Sequence, residues 1–259
     1  MIDLEQAKNK FLEVVQNYDE TNENIKRKIG HSIRVMNVSE KLAIKVGLSE
    51  EEVKVAALIG LLHDIGRFKQ YQKYHTYKDL ESVDHAKIGI KILFFENKIR
   101  EYILDNQYDD IIKKAILQHN QYRLNKRFLT EKEKLFCQIL KDADKIDILF
   151  EAITMFWNSK KKQMEESIIS KDVYEAFMDE TLIRHEIKKT LADQVIGILS
   201  FIYDINLKES FEMILEGNYL NQIIYRFHFS KDDTKNKFEK IHEKIESYIG
   251  NVYKKEEEM

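Results

Sequence analysis

The sequence predicts an all-α protein, a helical bundle with an additional C-terminal helical region. Two observations carry this. Proline is absent from the 259 residues and glycine numbers only eight, too few turn-forming residues for a β-rich chain of this length. Apolar residues also recur at spacings of three and four along most of the chain, which is the period of one helix face.

The helices can be read in order. Leu4, Ala7, Phe11, Val14 and Val15 mark the first. A second runs from about Ile25 to Val46, with Gly47 as its C-terminal cap. Ser49 and Glu52 form a capping box for a third, which ends on His63-Asp64. Phe68 to Leu80 reads as an irregular, polar, tyrosine-rich segment. Asp84 starts a fourth helix carrying His85, Ile88, Ile92 and Leu93. Ile111, Ile112, Ala115, Ile116 and His119 mark a fifth. Thr130 and Glu133 give another capping box, ahead of Phe136, Ile139, Leu140, Ala143 and Asp144. Further on, Ile183, Ile187, Leu191, Val195 and Ile198 step by three or four, as do Phe238, Ile241, Ile245, Tyr248 and Val252. Both stripes are expected to pack against the rest of the domain, with a homodimer surface as the alternative. Lys254 to Glu258 is expected to be a frayed, solvated tail.

Composition excludes several classes. Apolar residues make up 43% and charged residues 34%, which fits a folded chain with a substantial core. The net charge of -3 leaves no global basic field, so long nucleic acid is not an expected partner. The single cysteine, Cys137, rules out an internal disulfide and fits a reducing, cytoplasmic compartment. The N-terminus, Met-Ile-Asp-Leu-Glu, lacks the basic and apolar regions of a signal peptide. The longest apolar stretch, Val195 to Tyr203, falls well short of the ~20 residues of a membrane span, so no membrane association is expected.

The chemistry gathers at His63-Asp64, two metal-capable side chains that close the apolar run Ala57 to Leu62. His31 shares a helix face with Val35, Val38 and Leu42. His119 ends the stripe of Ile112, Ala115 and Ile116, and Asp144 stands one turn after Leu140. Taken singly, each of these, and His85, reads as a cap or a hydrogen-bonded core group. Together they would be costly to bury without a common partner. A shared cation satisfies them all, because neutral imidazole and ionised carboxylate both ligate divalent first-row metals.

The ordered set His31, His63-Asp64, His85, His119 and Asp144 resembles the HD superfamily of metal-dependent phosphohydrolases. The contexts His31-Ser32-Ile33-Arg34-Val35, Leu61-Leu62-His63-Asp64-Ile65-Gly66-Arg67 and Asp142-Ala143-Asp144-Lys145-Ile146-Asp147 match as well. The resemblance covers roughly residues 25 to 150 and implies a bundle of five or more helices. Residues 1–160 are then expected to form the metal-binding domain, with 161–259 a helical extension packed on it. It implies one metal on His31, His63, Asp64 and Asp144. A second would lie on His85 and His119, bridged by Asp64. The two divalent ions could be Fe, Mn, Co, Ni, Zn or Mg.

The implied activity is hydrolysis of a phosphomonoester or phosphodiester, in a nucleotide or another small phosphorylated compound, through a metal-bridged hydroxide. Arg67 is the first candidate phosphate clamp, since its planar fork suits phosphate. Lys145, beside Asp144, is the second. Asp147 is a candidate acceptor for a ligand histidine. His75 reads as a surface-loop residue, with a place at the pocket mouth among Tyr71, Tyr74 and Tyr77 as the alternative. His185, His228 and His242 read as structural or exposed. Two other functions fit the same ligands. An HD-fold di-iron oxygenase would be separated by its metal content and oxygen uptake, and a non-catalytic nucleotide sensor by its indifference to Asp64→Ala.

Overall fold

A computed structural model describes residues 2–19, 21–154 and 157–257, the last three by backbone alone. Among the described residues there is no strand. The chain divides into two compact units, Met1–Asp147 and Ile148–Met259.

The first unit holds α1 (Leu4–Val15), α2 (Glu23–Lys45), α3 (Glu50–Leu62), α4 (Ile65–Tyr74), α5 (His85–Ile90), α6 (Asp109–His119) and most of α7 (Glu131–Thr154). Its centre is α3. Every residue from Val55 to Leu62 is buried, so the continuous apolar run belongs to a helix wrapped on all sides. Against it α2 lays Val35, Met36, Ser39, Leu42 and Ala43, and α1 buries Ala7, Phe11 and Val15.

Local chemistry sets the ends of these helices. After α2 the chain turns through Gly47 at φ 78°. The Leu48 amide then donates to Ala43 O at 3.1 Å and that of Gly47 to Ile44 O at 3.0 Å, which closes the last turn. At the start of α3, Glu52 Oε2 accepts from the Ser49 amide at 3.0 Å and from its hydroxyl at 2.6 Å. Thr130 and Glu133 cap α7 in the same reciprocal way.

Two segments depart from the sequence expectation. Phe68 to Leu80 is not irregular throughout, since α4 extends to Tyr74. Ile65 and Phe68 are buried at helical spacing. The polar Gln70 is buried too, its amide donating to Asp79, Ser82 and Val83 of the loop that follows, so composition hid the helix. Only after His75, at φ 54°, does the chain become irregular. The stripe from Ile183 to Ile198 is also not one helix. His185–Ile187 is a short 3₁₀ turn, and a new helix begins at Leu191, where the Thr190 hydroxyl accepts from the Asp193 amide at 3.0 Å.

The second unit holds α8 (Lys161–Glu165), α9 (Lys171–Met178), α10 (Leu191–Leu199), α11 (Lys208–Glu216), α12 (Tyr219–Ile224) and α13 (Asp232–Glu257). Its core includes Val173, Phe177, Val195, Ile196, Leu199, Phe238 and Ile241. The buried Asp193 carboxylate accepts from the Ser170 amide and hydroxyl and from the Lys189 and Thr190 amides, all within 3.0 Å. It thereby fixes the starts of α9 and α10 together. The helix α13 includes the backbone of Lys254 to Glu257, so the expected tail is helical that far; Glu258 lies outside the described residues. Among the described residues, no helix is long and apolar enough to cross a membrane.

Candidate metal centre

Six helices, α2 to α7, bring the six ligand-type residues together. His31 comes from the buried face of α2. His63 and Asp64 form the joint between α3 and α4, where one helix ends and the next begins. His85 is the first residue of α5, whose amides are capped by Asp84. His119 ends α6, and Asp144 lies within α7. The four imidazoles and Asp64 are buried, while Asp144 keeps 21% of its side chain exposed.

Asp64 sits between two groups. Its Oδ2 lies 3.6 Å from both His31 Nε2 and His63 Nε2. Asp144 Oδ1 completes that side, 3.1 Å from His31 Nε2 and 3.8 Å from His63 Nε2. The other oxygen, Asp64 Oδ1, lies 3.2 Å from His85 Nε2 and 3.8 Å from His119 Nε2. Two sets of ligand-type atoms therefore share one carboxylate. His31, His63 and Asp64 form one, and Asp64, His85 and His119 the other, each with its atoms within 4.8 Å of one another.

The far side of every ring is held by an acceptor. His31 Nδ1 meets Asp147 Oδ2 at 2.7 Å, and His85 Nδ1 meets Asp79 Oδ2 at 2.7 Å. His63 Nδ1 meets Gly60 O at 2.7 Å and His119 Nδ1 meets Ile116 O at 2.6 Å. A proton on each Nδ1 turns each Nε2 inward, the tautomer a ligand histidine needs. The inward atoms are close but poorly directed toward one another. His31 Nε2, His63 Nε2 and Asp64 Oδ1 complete no hydrogen bond, and His85 Nε2 faces His119 Nε2 at 3.0 Å. Buried polar atoms left so cost free energy unless a cation meets them, and this donor set suits a divalent metal.

The electrostatics agree. Burial pushes the His63 imidazole down to about 3, so it is neutral. Burial also opposes ionisation of Asp64, but the Lys28 ammonium, with the Arg67 guanidinium, holds its carboxyl well below the usual range. Burial pulls His31 and His85 down, yet contact with Asp144 and Asp147, and with Asp64 and Asp79, raises both on balance. The carboxylates thus draw positive charge into the cluster, from protons on these rings and from Lys28. A divalent cation would answer the same demand and release the protons.

The remaining candidates are placed differently. Asp147 meets His31 and also receives Arg34, with Nε at 2.5 Å and Nη2 at 3.0 Å. Arg67 lies near Asp64, with Nε 3.4 Å from Oδ1. Its Nη1, however, is turned to Asp79 at 2.8 Å, to Gln70 at 3.0 Å and to the Tyr77 carbonyl. Lys145 is buried in α7 beside Asp144. His75 is exposed at the end of α4, with Tyr71 and Tyr77 packed on each other at 4.8 Å. His185 and His228 are exposed, and His242 bonds Asn221 at 2.8 Å.

Sequence reasoning missed two residues. Lys28, one turn before His31, places Nζ 2.6 Å from Asp64 Oδ2. Its spacing from His31 was the available signal. Asp79, which orients His85, lies in a short 3₁₀ turn with no periodic pattern to announce it.

The fold and this cluster define a helical protein with a carboxylate shared between two histidine groups. Residues 29–149 match the HD domain family, the module of a superfamily of metal-dependent phosphohydrolases. A stretch of 104 residues, 39% of the chain, is 27% identical to part of an asparagine-tRNA ligase of Buchnera aphidicola subsp. Baizongia pistaciae (strain Bp); the match spans only 21% of that protein's length. No solved structure is a significant match.

Proposed function

We propose that this protein is a metal-dependent phosphohydrolase acting on a nucleotide or another small phosphorylated compound. The observation that carries the reading is the division of Asp64, one oxygen turned to His31 and His63 and the other to His85 and His119. In this reading His31, His63, Asp64 and Asp144 hold one divalent cation, and Asp64, His85 and His119 hold a second. Bound there, such ions supply a water of lowered pKa and positive charge against phosphoryl oxygens.

The chain's own groups prepare the site. Asp147, Gly60 O, Asp79 and Ile116 O fix the four rings, so the donor set is pre-oriented. Lys28 brings an ammonium to the edge of the cluster, with 13% of its side chain exposed. We assign it the role of donor to a substrate phosphate oxygen. Arg67, with Nη1 engaged by Asp79, serves better to hold Asp79 and Asp64 in place than to clamp a substrate. Lys145 is the second candidate donor.

The test is a panel of phosphomonoesters, phosphodiesters and nucleotides assayed with Mn²⁺, Fe²⁺, Co²⁺ or Ni²⁺. Release of phosphate or a nucleoside monophosphate is expected from the wild-type chain. Asp64→Asn should abolish it while the helical circular dichroism persists. Lys28→Met should keep its metal but lose roughly 10- to 100-fold in kcat/KM, the worth of one hydrogen bond to a charged group. Full activity in Asp64→Asn, or a di-iron protein that consumes oxygen and releases no phosphate, would overturn the reading.

A further inference from the structure

A second concave site lies on the first unit, between α4 and α5, with a volume of about 520 Å³. None of the six ligand-type residues lines it. Its floor is apolar, made by Tyr74, Val83 and Ile88, and Val83 remains 37% exposed. Around that floor stand four lysines, Lys69 and Lys73 one turn apart on α4 and Lys87 and Lys91 one turn apart at α5 and just after it.

These lysines are poorly neutralised. Lys69 meets Glu96 only at 3.7 Å, with both side chains well exposed, a pair of small worth. Lys87 lies 4.0 Å from Asp84. That carboxylate also accepts from the Ala86 amide and from Asn120. Lys73 and Lys91 make no ion pair among the described residues, and the Lys73 ammonium rests over the Tyr74 ring at 5.1 Å. Four lysines and one carboxylate thus line a hollow with an apolar floor, in a chain whose overall charge is -3. The excess positive charge is local to this hollow.

Such a surface discriminates by chemistry. The lysines select several negative charges close together. The floor and the Tyr74 ring select a flat apolar body beside them. The volume is that of a small-ligand pocket, and the chain's net negative charge disfavours a long polyanion. We propose that the α4–α5 pocket is a second ligand site, for a nucleoside polyphosphate whose base lies on the floor and whose phosphates meet Lys69, Lys73, Lys87 and Lys91. This site is independent of the hydrolase reading, because none of its cations belongs to the metal centre.

The experiment titrates the full chain with a ribose-labelled fluorescent, nonhydrolysable adenosine triphosphate analogue in EDTA, so that neither metal nor turnover contributes. Saturable binding is expected. The charge reversal Lys73→Glu/Lys91→Glu, at exposed positions, should weaken it by roughly tenfold or more, as loss of two charged phosphate contacts requires. Tyr74→Ala should weaken the nucleotide while leaving competition by inorganic tripolyphosphate unchanged. Lys28→Met should bind normally. The same charge-reversed chain, with metal restored, should keep its phosphohydrolase activity, which separates the two sites. No saturation at millimolar analogue would overturn the proposal, as would equal binding by the charge-reversed chain, or binding lost in Lys28→Met alone.

Discussion

At the scale of single residues, the centre depends on groups that point away from it. His85 offers Nε2 to the cluster only because Asp79 receives its Nδ1 at 2.7 Å, and Asp79 is itself fixed by Arg67 and Gln70 at 2.8 Å each. Asp79→Asn keeps the shape but removes the charge and offers an amide donor to the ring. The half of the cluster built on His85 and His119 should weaken first. We expect metal affinity to fall by about 10- to 100-fold, read as a loss of one metal equivalent on dialysis while the other stays. Retention of both equivalents would show that Asp79 does not position His85. The ligand-type residues were legible in the sequence because most of them stand at the edge of an apolar helical stripe. Lys28 offered only its spacing from His31, and Asp79 no periodic signal. A lysine one turn from a buried histidine looks like any solvated lysine, and Asp79 acts across an irregular segment whose path depends on the buried Gln70.

At the scale of elements, the site requires α4 and α5 to touch where their ligand residues begin. A Cβ on Gly66 would lie 2.1 Å from His85 O and 2.7 Å from the Gly89 amide nitrogen, so only glycine allows this approach. Gly66→Ala must push the first residue of α5 outward, and that residue is His85. The expected result is a loss of roughly 1–3 kcal/mol of stability in denaturant melts, together with reduced metal content. A second pairing joins the start of α3 to that of α7, with Lys132 Nζ 2.5 Å from Glu52 Oε1. Lys132, followed by the Ser49 hydroxyl and amide, holds the Glu52 carboxyl down to about 2 from 4.5. A carboxyl depressed in the folded state stabilises the fold above its unfolded pKa, and that stability is lost as pH falls through the folded value. The stability difference between wild type and Glu52→Gln should therefore be full above pH 4.5 and vanish toward pH 2. A difference independent of pH would rule out this ion pair as its cause. The capping boxes of α3 and α7 were readable because they join residues three apart. The helix α4 was not, because its burial rests on Gln70 bonding a loop that follows it.

At the scale of the whole molecule, the six ligand-type residues run from His31 to Asp144, all within Met1–Asp147. They meet only when six helices, α2 to α7, are in place, so an unfolded chain has no equivalent site. A metal that binds the native state alone stabilises it by mass action, by about 2.7 kcal/mol at a free concentration 100 times its dissociation constant. Chelation should accordingly lower the melting temperature, and added Mn²⁺ or Co²⁺ should restore it in proportion to the logarithm of concentration. Asp64→Asn should show no such metal-dependent rise. Asp193, in the second unit, supplies the contrast. Its carboxylate takes four donors within 3.0 Å, so Asp193→Ala should cost roughly 2–4 kcal/mol by leaving buried amides unpaired. None of the metal-capable groups among the described residues includes Asp193, so the folded fraction of that variant should still bind metal with wild-type affinity. If Asp193→Ala stripped the metal from chain that remained folded, the centre would depend on more than the first unit supplies.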